Sequence, residues 1–367
     1  MYYKNYGNTD MKVSAVGFGC MRYDEDDLKA GRFEKCADVV LYAHEKGINY
    51  FDTAPFYCED KSEVVTGLAL SQLPRDSYYI STKGNIGTCE GPPTKDAFRR
   101  RLEKSLERLK VDYIDFYHLW CILNLEGFHQ LHEAMYEFCK EAQAEGLIRN
   151  IVFSSHMPGD QLETAINADE FAGMLIGYNA LNYRFRQSGI DHAYEKGMGV
   201  VAMNPLGGGL IPDNPGKFAY LTEGTDLNVA QAALRFVSSH REITIALAGC
   251  TTKAHVDDAC IAMENLVEKP AAEIYREYES KGESINDMCT GCDYCNVCPV
   301  GIQIPKYMDA YNMVLMNESF QNRLDWHWDV TANDAGKCTG CQKCEKLCPQ
   351  HLPIIERLAH IYKNRKE

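Results

Sequence analysis

The stretch from Asn49 to Tyr57 reads NYFDTAPFY. Its first residues are typical of a buried strand, and the strand ends at Ala54-Pro55 because proline cannot donate to a strand ladder. Asp52 and Tyr57 therefore lie where a strand passes into a loop. Barrel enzymes place their reactive groups at such strand ends. The stretch predicts a barrel built around Asp52 and Tyr57.

Strand-like and helix-like segments alternate outward from this stretch. The predicted strands are 15–20, 49–53, 78–83, 113–120, 151–155, 174–179, 199–205 and 243–249, preceded by a small hairpin over 2–13. The predicted helices are 33–46, 62–72, 95–109, 128–145, 160–168, 190–196, 228–240 and 255–265. This alternation predicts a closed parallel (β/α)8 barrel. A doubly wound open sheet is the alternative, but Gly17-Phe18-Gly19 lacks the third glycine of that fold's fingerprint.

Chain length, net charge and apolar content limit the possible domain organisation, partners and location of the protein. The chain has 367 residues, which predicts one large domain and a smaller one. We expect a barrel over 1–266, a helical linker over 267–283 and a small helical domain over 284–367. The net charge of -14 argues against a nucleic-acid or anionic-membrane partner. The sequence contains neither a long apolar run nor an apolar leader at residue 1, so a cytoplasmic protein is expected.

Cysteine usage separates the last quarter of the chain from the rest. The chain has 16 cysteines, and without an export signal metal binding or catalysis is the expected use. Half of them form two closely spaced runs. The first run is Cys289, Cys292, Cys295 and Cys298, followed by Pro299, and the second is Cys338, Cys341, Cys344 and Cys348, followed by Pro349.

The spacing of the second run, C-x2-C-x2-C-x3-C-P, is that of cluster-binding ferredoxins. Three thiolates at this spacing bind one cubane, and the fourth, offset by a proline turn, binds the other. We therefore expect two [4Fe-4S] clusters. Cluster I is assigned to Cys289, Cys292, Cys295 and Cys348, and cluster II to Cys338, Cys341, Cys344 and Cys298. Structural zinc is the alternative, but it does not require two quartets that each end in Cys-Pro.

Four motifs along the first three quarters of the chain belong together. They are Asp52-Thr53-Ala54 with Tyr57, Ser62-Glu63, Ile80-Ser81-Thr82-Lys83 and Val16-Gly17-Phe18-Gly19. In these motifs, residues 1 to about 266 resemble the aldo-keto reductases, and the terminal domain resembles the iron–sulfur extension that a branch of this family carries. The resemblance implies hydride transfer between a nicotinamide cofactor, NADP or NAD, and a carbonyl.

The resemblance also implies catalytic roles. Tyr57 would protonate the developing alkoxide, Lys83 would lower the phenol's pKa, and Asp52 would hold Lys83. A buried ion pair that braces the barrel end is the structural alternative for this trio. The family's catalytic histidine corresponds to Trp120, whereas His118 lies two residues earlier on the same face, about 6.5 Å deeper. His118 is thus either the fourth catalytic residue, reached through a shifted or bulged strand, or a core histidine.

Several cofactor contacts implied by the resemblance differ in residue type. The family's Ser-Asn pair reads Ser154-Ser155, its glutamine falls at Leu175, and its stacking aromatic falls at Met203. Three glycines from Gly207 would approach a pyrophosphate closely or form a flexible loop. No arginine is evident for a 2′-phosphate, so NADP and NAD stay open. The implied cofactor contacts are Ser154, Ser155, Met203, Leu206, Gly207, Gly249, Thr251, Thr252, His255 and Asp258.

These features predict an oxidoreductase that interconverts an aldehyde or ketone with its alcohol, with a sugar or other polyol as the candidate substrate. The clusters would either brace the small domain or carry electrons to a ferredoxin-type partner. A nicotinamide- or redox-sensing protein with vestigial activity is the alternative, motivated by the altered contacts. Trp326-His327-Trp328, between the cysteine runs, is expected to shield a cluster or to contact the barrel.

Overall fold

The computed structural model describes residues 1–281, 287–289, 291, 294–348 and 350–366. An antiparallel hairpin of β1 (Tyr3–Asn5) and β2 (Lys12–Ser14) opens the chain, as predicted. Eight parallel strands then close into a barrel in which the last strand pairs with the first. They are β3 (Val16–Gly19), β4 (Tyr50–Asp52), β5 (Tyr79–Gly84), β6 (Ile114–Ile122), β7 (Ile148–Ser155), β8 (Gly173–Gly177), β9 (Gly199–Met203) and β10 (Ile245–Ala248).

Helices connect successive strands and cover the outside of the barrel. Their bounds are α1 (Glu25–Lys29), α2 (Phe33–Glu45), α3 (Ser62–Leu70), α4 (Lys95–Leu109), α5 (Leu125–Ala144), α6 (Gly159–Ala168), α7 (Gln187–Glu195), α8 (Leu210–Asp213), α9 (Val229–Ser238) and α10 (Lys253–Ala262). Each predicted strand and helix of the barrel has a counterpart here. The predicted (β/α)8 barrel is confirmed, and closure of the sheet excludes the doubly wound alternative.

The N-terminal hairpin closes the bottom of the barrel. Tyr6, between its strands, is fully buried, and its ring lies 4.3 Å from that of Phe116 inside the barrel. Gly199 and Gly173 make room for it, since a side-chain carbon built on either would lie 2.4 or 2.3 Å from Tyr6 atoms. The lower interior is therefore a packed core, and any site must lie at the opposite, carboxyl ends of the strands.

Helix α11 (Ala271–Glu279) occupies the segment predicted as a linker and packs on the barrel. Ile274 is buried in the barrel core, and the hydroxyls of Tyr275 and Tyr178 lie 2.7 Å apart. The predicted linker and domain boundaries remain predictions, and residues 282–286 lie outside the described part of the chain.

The terminal region is helical and has its own core. Its elements are α12 (Ile304–Leu315), a π turn (Arg323–Trp328), a 3-10 turn (Ala332–Lys337), α13 (Lys343–Leu347) and α14 (Ile354–Lys363). The core of this region contains cysteines of both runs together with the apolar faces of α12 and α14. Within the described ranges, none of the helices has the length and apolar character that a membrane span requires.

The two parts of the chain meet at Phe185 and Arg186. The Phe185 ring lies 5.1 Å from that of Trp328. Arg186 is fully buried and donates to His327 Nε2 at 3.0 Å and to two barrel carbonyls at 2.9 and 3.2 Å. Trp326 is 74% exposed. The aromatic segment between the cysteine runs thus contacts the barrel through its last two residues.

Candidate active site

Asp52 and Lys83 form a buried ion pair at the carboxyl ends of β4 and β5. Lys83 Nζ donates to Asp52 Oδ1 and, at 2.7 Å, to the Thr53 carbonyl. Ser81, which is paired with Asp52 across the strands, donates its hydroxyl to Asp52 Oδ2 at 2.7 Å. Burial lowers the pKa of Lys83, while the Asp52 carboxylate acts in the opposite direction. The ammonium is therefore held rigidly by its neighbours.

Tyr57 lies in the loop that follows β4, above this pair. Lys83 Nζ is 5.1 Å from the centre of its ring. Burial, and then the Asp52 carboxylate, raise the pKa of Tyr57 well above its ordinary value. Burial sets the direction of this net shift, and the prediction that Lys83 favours the phenolate stays a prediction. Tyr57 keeps its phenolic proton at neutral pH, which suits a proton donor.

His118 is buried one step below the rim. Its Nε2 lies 2.9 Å from Ser81 Oγ and 3.9 Å from Asp52 Oδ2. Since the Ser81 hydroxyl gives its one proton to Asp52, His118 Nε2 must be the donor to Ser81. Burial, and then Lys83, hold the pKa of His118 well below its ordinary value, so the imidazole is neutral. His118 thus supports the carboxylate from beneath.

Trp120 occupies the rim position above His118. Its ring meets that of Tyr57 edge-on, with 5.7 Å between the centres. A bulge follows, because Leu119 and Ile122 of β6 pair with residues only two apart on β7, and Cys121 between them has φ 65°. This irregularity lies beyond His118 and does not raise it toward the rim. Trp120, and not His118, is the β6 side chain that contacts Tyr57.

The Ser62-Glu63 motif has a structural explanation. Glu63 is buried and accepts from Thr82 Oγ1 at 2.8 Å and from Arg101 Nη2 at 3.0 Å. Ser62 donates to the Cys20 carbonyl at 2.6 Å. These contacts tie the first helix after β4 to β5 and α4. They hold the strand that carries Lys83 without reaching the barrel mouth.

The predicted nicotinamide contacts on β7 divide into two kinds. Ser155 accepts from Met157 N at 3.0 Å and donates to the Ile122 carbonyl at 3.2 Å, so it anchors the backbone. Ser154 lies two residues after the interior residue Val152, so its side chain is on the strand face that points into the barrel. Ser154 is paired with Leu175 of β8. Leu175 and Met203 belong to the apolar interior. One wall of the barrel mouth is therefore apolar at Leu175, where the resemblance implies a glutamine amide.

The glycine segment after β9 has left-handed backbone throughout. Gly207, Gly208 and Gly209 have φ values of 64°, 74° and 108°. Only glycine adopts such a run without strain. The predicted contact Leu206 precedes them and packs against the barrel core. The conformation is that of a backbone that lets a ligand approach closely.

The loop after β10 leads into helix α10. Thr252 caps this helix by accepting from His255 N at 3.3 Å, and Thr251 Oγ1 lies 3.1 Å from His255 Nδ1. Asp258 accepts from Gln231 at 2.6 Å on the neighbouring helix. The loop that starts at Gly249 thus leads into a helix N-terminus, and such a terminus attracts anions. His255 and Asp258 are thus occupied by protein partners.

Arg22 is a residue of this region that the sequence reasoning missed. It follows β3, and its side chain lies between the two glycine segments. A carbon built on Gly208 would lie 3.9 Å from Arg22 Nη2, and one on Gly249 would lie 3.8 Å from Arg22 Cδ. The only advance signal was its position just beyond a predicted strand end. Arg22 supplies the cation that the sequence did not identify there.

A cavity separates the glycine segment from the terminal domain. Asn204 and Gly207 line it from the barrel, and Asn312 and Arg323 line it from the terminal domain. The Asn312 side chain bonds the main chain of Cys289 in both directions, at 2.8 and 2.9 Å. The terminal domain therefore reaches the edge of the barrel mouth close to a predicted cluster cysteine.

Cysteines of both runs lie in the core of the terminal domain. Cys292 lies outside the described residues. Cys289, Cys295 and Cys348, assigned to cluster I, are buried in the terminal core. The four cysteines assigned to cluster II line one cavity, namely Cys298, Cys338, Cys341 and Cys344.

The fold and site define a (β/α)8-barrel protein with an appended cysteine-rich domain. A family model described as aldo/keto reductase matches residues 15–277, and a 4Fe-4S dicluster domain model matches residues 267–352. The chain therefore belongs to the aldo/keto reductase family and carries a dicluster domain at its C-terminal side. The two matches overlap in helix α11.

Relatives and solved structures agree with this membership. Probable aldo-keto reductase 1 of Glycine max is 27% identical over 304 residues, covering 73% of this chain and 86% of that protein. L-galactose dehydrogenase of Arabidopsis thaliana is 26% identical over 288 residues, covering 71% and 87%. NADH-specific methylglyoxal reductase of Escherichia coli is 28% identical over 221 residues, covering 56% and 67%. The holo aldo-keto reductase of Bacillus halodurans is 25% identical with a TM-score of 0.63, covering 77% of this chain and 97% of that one.

Proposed function

We propose that the protein interconverts a small aldehyde or ketone and its alcohol with NADP or NAD, and that its terminal domain holds two [4Fe-4S] clusters. The observation that carries the proposal is the arrangement at the strand ends. A protonated phenol, Tyr57, stands over a lysine that a buried carboxylate fixes. Such a group can deliver a proton to a carbonyl oxygen at neutral pH.

The reaction adds a hydride and a proton to the carbonyl, and a bound nicotinamide cofactor supplies the hydride. Tyr57 donates the proton from its hydroxyl to the carbonyl oxygen. The Lys83 ammonium lies close enough to stabilise the phenolate left behind, while Asp52 keeps that ammonium in place. His118 and Ser81 satisfy the second oxygen of Asp52. Trp120 covers one side of the Tyr57 ring.

The residues present fit a dinucleotide. Three left-handed glycines, from Gly207, follow the end of β9 and bring no side chain to this edge of the mouth. The capped start of α10 at Thr252 favours an anion. Arg22 between these elements adds a positive charge suited to a pyrophosphate. Leu175 and Met203 give an apolar wall suited to the face of a nicotinamide ring. The choice between NADP and NAD is part of the test.

The terminal cysteines fit clusters better than zinc. Thiolates on one zinc ion lie roughly 3.8 Å apart, as follows from Zn–S bonds of about 2.3 Å. Over the described part of the chain, no three Cys, His, Asp or Glu side chains gather closely enough to hold a single metal ion. Cys298 and the first three cysteines of the second run line one cavity, and four thiolates are what a cubane requires.

The class of substrate is inferred from the relatives. One is named for oxidation of L-galactose and another for reduction of methylglyoxal. Both compounds are small and oxygen-rich. A short polyol or its carbonyl form is therefore the proposed substrate class, with the direction open.

The deciding experiment uses anaerobically purified protein with its iron and sulfide measured. Binding of NADPH and NADH is followed by nicotinamide fluorescence, and oxidation is then followed at 340 nm with a panel of small aldehydes, ketones and sugars. Turnover with any of them at ordinary enzyme rates supports the proposal. Tight cofactor binding without turnover on the whole panel favours a nicotinamide sensor instead.

A second function, one-electron exchange with an acidic carrier protein such as a ferredoxin, is favoured by the surface over cluster II. Cys341 is exposed, and Lys343 and Lys346 beside it are exposed and basic in a chain of net charge -14. The test adds NADP⁺ or NAD⁺ to protein with reduced clusters and no other reductant. Reduced nicotinamide that forms as the clusters reoxidise supports the exchange, and unchanged spectra despite cofactor binding reject it.

A further inference from the structure

Arg357 on helix α14 is a buried cation inside the terminal domain. Arg357 is only 4% exposed. Arg357 Nη2 donates to the Asp287 carbonyl at 2.5 Å, and the guanidinium lies 4.9 Å from the centre of the Tyr311 ring. Asp287 is two residues before Cys289, and Tyr311 precedes the asparagine that bonds the Cys289 main chain. Arg357 is therefore fixed against the segment that begins the first cysteine run.

One edge of this guanidinium lacks an acceptor among the residues that the structure describes. Among the described residues, nothing accepts a hydrogen bond from Arg357 Nη1, which is fully buried. A buried charged donor without an acceptor is costly, and native structures seldom leave one unexplained. The unpaired edge points to an acceptor that is not a protein atom.

The surroundings indicate which acceptor. Burial lowers the pKa of Arg357, and Tyr311, Cys289, Asp287 and Cys348 act in the opposite direction. Two of these four groups are cysteines assigned to cluster I. Together with the hydrogen bond to the Asp287 carbonyl, this places the cation beside the segment that carries Cys289.

We propose that Arg357 is a hydrogen-bond donor to cluster I and makes it the cluster of higher reduction potential. The proposal rests on the proposed pair of clusters. Reduction adds negative charge to a cluster, so a nearby cation and a donated hydrogen bond stabilise the reduced form. Cluster II lacks an equivalent buried arginine among the described residues and has the exposed Cys341 in its group.

The position of cluster I determines in which direction this difference in reduction potential would drive an electron. Cys289, Cys295 and Cys344 share a core with Phe185 of the barrel, and the segment of the first run approaches Phe185 most directly at Gly291. Gly291 allows the approach, because a carbon built on it would lie 2.3 Å from the Phe185 ring. An electron that enters at the exposed cluster therefore comes to rest on the cluster beside the barrel. Arg357 would thereby set the direction of electron transfer from cluster II to cluster I.

The test is a redox titration of the holoprotein, followed by electron paramagnetic resonance, on the native protein, Arg357→Lys and Arg357→Met. Iron and sulfide content shows that both clusters are present. Arg365→Met, at a partly exposed arginine of the same terminal segment, is the matched control. We expect two midpoint potentials, of which only the higher one falls in Arg357→Met, with Arg357→Lys in between and the control unchanged.

Three results would overturn the proposal: equal shifts of both potentials, no shift, or a fall in the lower potential alone. If Arg357→Met loses its clusters, Arg357→Lys decides. If neither variant retains both clusters, Arg357 is an assembly residue and the tuning role is rejected. Native protein that binds no cluster would instead refute the proposed function of the terminal domain.

Discussion

Removal of the Tyr57 hydroxyl tests the proposed chemistry most directly. In Tyr57→Phe the ring stays and keeps its edge-on contact with Trp120, 5.7 Å between centres. Over the described residues, the Tyr57 hydroxyl makes no hydrogen bond to the protein. Its loss should therefore change the free energy of unfolding by only about 0.5 kcal/mol.

The effect on catalysis should be far larger. A positioned proton donor contributes a factor of about 10² to 10⁴ in rate. At about 1.36 kcal/mol per factor of ten, the activation barrier should rise by roughly 2.7 to 5.4 kcal/mol. The assay is kcat/KM for carbonyl reduction at saturating cofactor, beside the dissociation constant of the cofactor, which should not change.

Tyr42→Phe is the matched control, because the Tyr42 hydroxyl donates to Asp257 at 2.9 Å on the outside of the barrel. It should retain full activity. A loss of less than tenfold in Tyr57→Phe, with cofactor binding intact, would refute the proton-donor role. Asp52 and Lys83 would then be a bracing ion pair at the barrel end, as the structural alternative holds.

The remaining predictions concern pH, the cofactor and packing. Because burial raises the pKa of Tyr57, carbonyl reduction should be flat from about pH 6 to pH 9, while alcohol oxidation, which needs the phenolate, should rise about tenfold per pH unit; a plateau in oxidation below pH 8 contradicts this. Arg22→Met should raise the dissociation constant of the cofactor about tenfold, which equals about 1.4 kcal/mol, and unchanged binding in fluorescence titrations would reject a phosphate contact. Gly199→Ala, which would bring a carbon within 2.4 Å of Tyr6, should lower the free energy of urea unfolding by about 1–3 kcal/mol. Gly216→Ala meets nothing within 4 Å and should be close to neutral.

Much of the fold could be predicted from local patterns. Buried parallel strands are apolar runs of limited length, and the helices between them have their own periodicity, so eight repeats were visible along the chain. The same holds for the cysteine runs, because cluster binding requires ligands at short, regular spacing. Helix α4 (Lys95–Leu109) has the predicted bounds, and strand ends differ by a few residues elsewhere.

Contacts between distant segments were not predictable in this way. Trp120 meets Tyr57 while His118 turns to Ser81, and only the register of β5 against β6 decides this. The buried position of Arg186 between barrel and terminal domain had no local signal.

The sequence by itself determined the barrel, the terminal cysteine domain and the residue types at the strand ends, since each depends on neighbours within a few positions. Only the tertiary structure decided the direction of the Tyr57 pKa, the approach of Arg22 to two glycine segments, and the burial of Arg357. Burial and long-range pairing set these properties, and both arise when the chain closes on itself.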